Sequence, residues 1–308
     1  ARSDFSRWDA QQQLFINALK ANVTSASKTP LSEEVIDALR ALLSQHEGDL
    51  ALVAELLKLP SFDTLAAEFE IIPVDQITAN IELFEQQIAT QLHKEFLSCY
   101  QAITDDGSVS AQAVAIRALK QLCLHYLAKT DGVDAANLIE HAASSTNMTN
   151  VLGALSSVVK AAHPLSDKLL EHFDAQWRHD VLVMDKWFAL QAMNSADDAI
   201  EKIKALYTHP CFDFSNPNRV RALVGSFSHF NTAQFHRLDG QGYTLLGDLL
   251  IKLNTINPQN ASRMLTPFMS WRRYDETRAT AMRAQLERLA NLDGLSDDLF
   301  EKVEKALQ

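Results

Sequence analysis

VDQITANIELFEQQIATQLHKEFLS, residues 74–98, sets Ile77, Ile81, Phe84, Ile88, Leu92 and Phe96 three or four positions apart. That spacing stacks side chains on one face of an α-helix. Glu82, Glu85, Gln86, Gln87 and Lys94 take the remaining positions, as in a helix docked along one side. The run predicts a helix over 74–98, and the rest of the chain follows its pattern. Ser32 precedes Glu33-Glu34, Ser110 precedes a run from Ala111 to Leu127, and Ser296 precedes Asp297-Asp298. Each offers a capping hydroxyl, and two of the three put acids in the first turn, near the positive end of the helix dipole.

Only 9 of 308 residues are glycine, well under the roughly 7% of an average protein, so few positions can supply the positive φ of tight hairpins. No alternating strand pattern emerges. Short polar breaks at 104–108, 129–132, 163–164, 194–195 and 211–218 separate roughly sixteen helical segments. The expected fold is all-α, a curved stack of antiparallel helix pairs forming a HEAT- or armadillo-like superhelix, because such arrays grow by adding units to their neighbours. No fixed-period repeat is visible, and residues 1–308 read as a single helical domain.

A net charge of −11 argues against nucleic acid or an anionic membrane as partner, since both are bound mainly by clustered Lys and Arg. The one dense basic pair, Arg272-Arg273 beside Trp271 and Tyr274, reads as a solvated helix end. Three widely spaced cysteines, Cys99, Cys123 and Cys211, suit neither a disulfide framework nor a zinc knuckle and favour a reducing, cytoplasmic setting. They read as buried inert thiols, with His125 the nearest activating neighbour of Cys123. No apolar run reaches the length of a membrane span.

The chain offers no complete catalytic centre and no metal site. An HExxH helix is absent: His46-Glu47 and Glu171-His172 lack the second histidine, and His172 and His179 are seven apart, about two helical turns, which puts two imidazoles on one face where ordinary surface or capping roles are the plainer reading. Neither GxSxG nor a phosphate-binding glycine loop occurs. Two similar helix starts are more informative. Asn216-Pro217-Asn218-Arg219-Val220-Arg221 and Asn257-Pro258-Gln259-Asn260-Ala261-Ser262-Arg263 each place Asn as N-cap and Pro at the first helical position. The stripe Ala261, Met264, Leu265, Phe268 leaves Arg263 facing away from the core, and the stripe Val220, Leu223, Val224, Phe227 leaves Arg221 at its edge. The plain reading is two surface arginines, with Asp213, Asp239 and Asp275 as possible intramolecular partners. The functional reading is a wall facing an anion or a peptide, for which a guanidinium supplies a rigid fork of donors.

Longer blocks carry a resemblance: LVMDKWFALQ at 182–191, NPNRVRAL at 216–223, Phe235-His236 followed by DGQGY at 239–243, and NPQNASRMLTP at 257–267, with SRWDA at 6–10, NMTN at 147–150 and RRYD at 272–275. Together they resemble the C-terminal helical domain of bacterial aminopeptidase N, a family of zinc-dependent gluzincin metallopeptidases. The resemblance spans nearly the whole chain. It implies a parent enzyme that removes N-terminal residues from peptides, whose β domains and zinc-bearing catalytic domain lie upstream and are absent from this chain. This domain would then hold no cofactor of its own and would be inactive alone. Its partners would be the catalytic domain of the same polypeptide and the peptide substrate. It would enclose the active-site chamber, restrict access and contact peptide, with Arg221 and Arg263 matching arginines that project into the chamber. In LVMDKWFALQ, Met184, Trp187, Phe188 and Leu190 are expected in the core, with Asp185 and Lys186 as a structural pair. The alternative is a free-standing helical scaffold that binds a protein on its concave face.

Overall fold

A computed structural model describes residues 3–25, 28–44 and 47–308, and among these the regular structure is helical. The chain divides into two compact units, Ala1–Glu68 with Asp75–Leu170, and Phe69–Val74 with Glu171–Gln308. The first contains α1 (Asp4–Thr24), α2 (Glu33–Leu43), α3 (Leu50–Leu56), α4 (Phe62–Ala66), α5 (Val74–Gln91, from its second residue), α6 (His93–Ala102), α7 (Ala111–Leu127), α8 (Val133–Ala143) and α9 (Met148–Lys160). After α10 (Ser166–Trp177), at which the division falls, the second contains α11 (Val181–Gln191), α12 (Ala199–Leu206), α13 (Pro217–Val220), α14 (Ser226–Phe230), α15 (Thr232–Phe235), α16 (Gln241–Ile256), α17 (Pro258–Met264), α18 (Glu276–Ala290) and α19 (Asp297–Leu307).

The all-α expectation holds, and the predicted caps are in place. Ser32, Ser110 and Ser296 accept hydrogen bonds from the backbone N–H groups of Val35, Ala113 and Leu299. The helix expected over 74–98 is two helices. Leu92, at φ −111° and ψ 18°, breaks the spiral between α5 and α6. The break is invisible to periodicity because hydrogen bonding runs through it, from Leu92 N–H to the Ile88 carbonyl (3.0 Å) and from Phe96 N–H to the Leu92 carbonyl (2.9 Å). Ile77, Phe84, Ile88, Leu92 and Phe96 therefore stay buried. Such breaks, with several short helices, bring the described α-helices to nineteen rather than about sixteen helical segments.

In the first unit α7 is central, packed on α3, α6 and α9. Its Tyr126, fully buried, donates its hydroxyl to the Leu57 carbonyl (2.9 Å) and stacks on Phe96 at 4.8 Å. In the second unit α16 packs on α12, α17 and α18, with α19 against α17 and α18. Phe235, Tyr243 and Phe268 form its aromatic centre, with Tyr243 5.2 Å from Phe235 and 6.3 Å from Phe268. One isolated bridge joins Ile72 to Tyr274, with Ile72 N–H donating to the Arg273 carbonyl at 2.7 Å.

Candidate functional site

Both arginine-bearing helix starts are built as their sequences require. Asn216 accepts from the N–H groups of Asn218 (3.0 Å) and Arg219 (3.3 Å), and Asn257 accepts from that of Asn260 (3.0 Å). Each is followed by proline, whose missing N–H costs nothing in a first turn. The core stripes are as read: Val220, Leu223, Val224 and Phe227, and likewise Ala261, Met264, Leu265 and Phe268, are all buried.

Between α13 and α14 the backbone widens into a π-helical turn, Arg221–Gly225. The wider turn adds a residue to the helix and rephases the side chains around it. Arg221 opens this turn with its side chain exposed and folded back over the helix start, donating to the Pro217 carbonyl (3.3 Å) and to the Asn218 side-chain oxygen. Gly225 closes it. A Cβ there would lie 3.5 Å from both the Arg221 Cβ and the Met264 Sδ, so the turn bearing Arg221 packs against the residue next to Arg263.

Arg263 is exposed, and its guanidinium forms no hydrogen bond or ion pair among the described residues. The backbone beneath it is fixed. Thr266 donates to the Arg263 carbonyl (2.9 Å), and Lys302, from α19, donates to Thr266 Oγ1 (2.9 Å) and to the Ser262 carbonyl (2.6 Å). The acids that might have neutralised the two arginines are engaged elsewhere. Asp213 accepts from Ser215, Asp239 pairs with Arg237 (2.6 Å), and Asp275 pairs with Arg278 (2.9 Å).

The other polar groups of the quoted blocks are taken up by the fold. Asp185 pairs with Arg219 at 2.7 Å, in place of the expected Lys186. Arg219, 2% exposed, also donates to the Val181 carbonyl (3.0 Å) and the Cys211 carbonyl, and lies 4.8 Å from the Phe188 ring. This link, 34 residues long in sequence, joins LVMDKWFALQ to NPNRVRAL. The basic doublet is likewise not merely solvated: Arg272 donates to the Ala306 and Leu307 carbonyls at the end of α19, and Arg273 to the Phe69 carbonyl. Arg272 thus binds carbonyls left open at a helix end. Asn147 caps α9, and Asn150 donates to Asp105 (3.0 Å), the partner of buried Arg117 (2.8 Å).

His236 is buried between Tyr243, whose hydroxyl is 2.7 Å from Nδ1, and Tyr274, whose ring stacks at 4.6 Å. Burial, reinforced by the Arg278 charge and opposed by Asp275, holds it down to about 3, so the ring is neutral. In the first unit burial would raise Glu85, but His125 (3.1 Å) and Lys129 (3.0 Å) outweigh it and hold the carboxyl at about 2. His125 therefore serves Glu85 rather than Cys123. His179 lies beyond the end of α10, so it does not share a helical face with His172. His46 lies outside the described residues.

An all-α array in which Arg219, Arg272 and Arg273 are locked into the fold, while Arg221 and Arg263 are exposed on neighbouring helices, defines a helical-repeat domain. The whole chain, residues 1–308, matches the family described as "Domain of unknown function (DUF3458_C) ARM repeats", and it belongs to that family. It is similar to Aminopeptidase N of Haemophilus influenzae (44% identical over 313 residues) and of Escherichia coli (42% over 312), in each case over 100% of this chain and 36% of the relative. The chain thus spans about a third of the length of these relatives. A crystal structure of Legionella pneumophila aminopeptidase A in complex with aspartic acid superposes with a TM-score of 0.87 at 28% identity, over 99% of this chain and 37% of that one.

Proposed function

We propose that the chain is the C-terminal helical domain of a zinc-dependent aminopeptidase that removes N-terminal residues from peptides. Its part is to enclose the active-site chamber, restrict access and hold the peptide beyond the scissile bond through Arg221 and Arg263. One observation carries this reading. Among the arginines of NPNRVRAL, NPQNASRMLTP and RRYD, Arg219, Arg272 and Arg273 are spent on carboxylate or on carbonyls distant in sequence, whereas Arg221 and Arg263 are exposed without a carboxylate. Exposed guanidinium forks that no carboxylate neutralises, carried on a firm backbone, suit a peptide's carbonyls or terminal carboxylate.

Among the described residues no three His, Cys, Asp or Glu side chains gather to hold a metal. The reading assigns zinc to the rest of the polypeptide, where it would supply a Lewis acid for hydrolysis. The constant partner is then the catalytic domain of the same polypeptide and the transient one a peptide, in the cytoplasm, with neither nucleic acid nor membrane involved. No described helix is long and apolar enough to cross a membrane.

The test is Arg221→Ala and Arg263→Ala in the full-length enzyme. A charge-assisted hydrogen bond contributes about 1.5–3 kcal/mol, so kcat/KM for di- and tripeptides falls roughly 10- to 100-fold, while hydrolysis of amino-acid anilides changes little. Unaltered kinetics on short peptides would sink the proposal.

A further inference from the structure

The packing of α6 on α7 runs antiparallel, with a register set by two sets of contacts. At one end Phe96 stacks on Tyr126. At the other Lys120 Nζ donates to the Tyr100 carbonyl (2.9 Å) and the Ile103 carbonyl (2.7 Å), 4.2 Å from the Tyr100 ring. The rung between them belongs to Cys99 and Cys123. Cys99 follows Phe96 by three residues, and Cys123 lies three residues from both Lys120 and Tyr126. Both are free thiols with no exposed surface. A cleft of about 640 Å³ in the same unit is lined by Tyr100, Ile103 and Lys120 among others, of which Tyr100 adjoins Cys99 in sequence and Lys120 lies one helical turn from Cys123. Cys211, half-buried in the second unit, instead donates its thiol to the Arg178 carbonyl at 3.2 Å.

We propose that Cys99 and Cys123 form a redox dithiol, which a small peroxide entering by this cleft converts to a disulfide tying α6 to α7. The inference is independent of the peptidase reading. Pairing with Cys123 lowers Cys99 against the opposing effect of burial, aided by the Lys120 charge, whereas pairing and burial raise Cys123. Cys99 is therefore the attacking sulfur. Its thiolate displaces hydroxide from the peroxide: an S–O bond forms, the O–O bond breaks, and the hydroxide takes up the proton Cys99 gave up. The Cys123 sulfur then attacks the resulting sulfenic acid, forming S–S and breaking S–O, and its own proton leaves with the departing hydroxide as water. In sum two thiols are oxidised and one peroxide is reduced to two waters.

The experiment treats the full-length polypeptide with hydrogen peroxide, alkylates remaining thiols in denaturant and maps peptides by mass spectrometry without reduction. The Cys99 and Cys123 peptides are expected joined, with the loss of two hydrogens, and separated again by dithiothreitol. In Cys123→Ser, Cys99 is expected to be trapped by a sulfenic-acid probe. In Cys99→Ser, Cys123 is expected to remain alkylatable. The wild-type result needs no variant to fold. Recovery of both cysteines as free thiols at a dose that oxidises Cys211, or their separate oxidation without a link, would overturn the proposal.

Discussion

At Gly242 a Cβ would stand 2.2 Å from the Phe235 carbonyl oxygen, and backbone cannot yield as a side chain can. The glycine lets α16 start directly beneath α15, closing the pocket that holds His236 against Tyr243. At Gly247 a Cβ would meet the Gln285 side-chain oxygen at 2.1 Å, but that is the far end of a flexible chain on α18. Gly242→Ala is therefore expected to cost about 2 kcal/mol or more, the range of an overpacked core. Gly247→Ala, where alanine also gains helix propensity, should stay within about 1 kcal/mol of wild type. Urea denaturation of the two variants measures the contrast, and equal losses would show that the close approach at Phe235 relaxes. Neither glycine's role is legible in the sequence, where Gly242 reads only as part of the DGQGY motif and Gly247 as one residue of a helical run. The same holds for Asp185, whose partner Arg219 is 34 residues away while Lys186 is adjacent. Local order offers the wrong cation, and only tertiary packing supplies the right one.

For the elements, the signals carried by side-chain chemistry were readable and those carried by backbone shape were not. Serine and asparagine caps act within three residues, so Ser110, Asn216 and Asn257 could be assigned from spacing alone. The break at Leu92 and the π turn at Arg221–Gly225 leave the apolar stripes beside them buried, so periodicity passes over both. That turn also explains why Arg221 looked like an edge residue on an ideal helical wheel while its side chain is exposed. Arg263, on an ordinary α-helix, was placed correctly as facing outward. The caps beneath both arginines carry a prediction: Asn216→Ala and Asn257→Ala should each cost about 1 kcal/mol, read as a fall in thermal midpoint. A loss indistinguishable from zero would mean that packing, rather than the cap, holds these starts.

On the scale of the molecule, each unit holds a group that resists protonation, and both act in the same direction. His236 is lowered from 6.5 to about 3. The unfolded chain therefore binds the proton first, and the stability this group contributes, complete above pH 6.5, is lost as pH falls toward 3. Glu85, lowered from 4.5 to about 2, contributes above pH 4.5 and loses that contribution as pH falls toward 2. Acid titration of the folded protein should thus show stability declining from about pH 6.5, with a steeper fall below about 4.5. His236→Phe should flatten the upper part of the curve and leave the lower part unchanged. The general all-α architecture was legible from composition and periodicity, but the division into two units was not, because both are written in the same helical pattern.

The central claim concerns Arg221 and Arg263 as holders of a peptide's far end, and it is tested most directly by a ratio. In the full-length enzyme, kcat/KM is measured for one tripeptide with a free terminal carboxylate and for the same tripeptide amidated. Wild type is expected to favour the free carboxylate, and Arg221→Ala with Arg263→Ala to bring the two substrates to nearly equal rates. A double variant that keeps the wild-type preference would contradict the account.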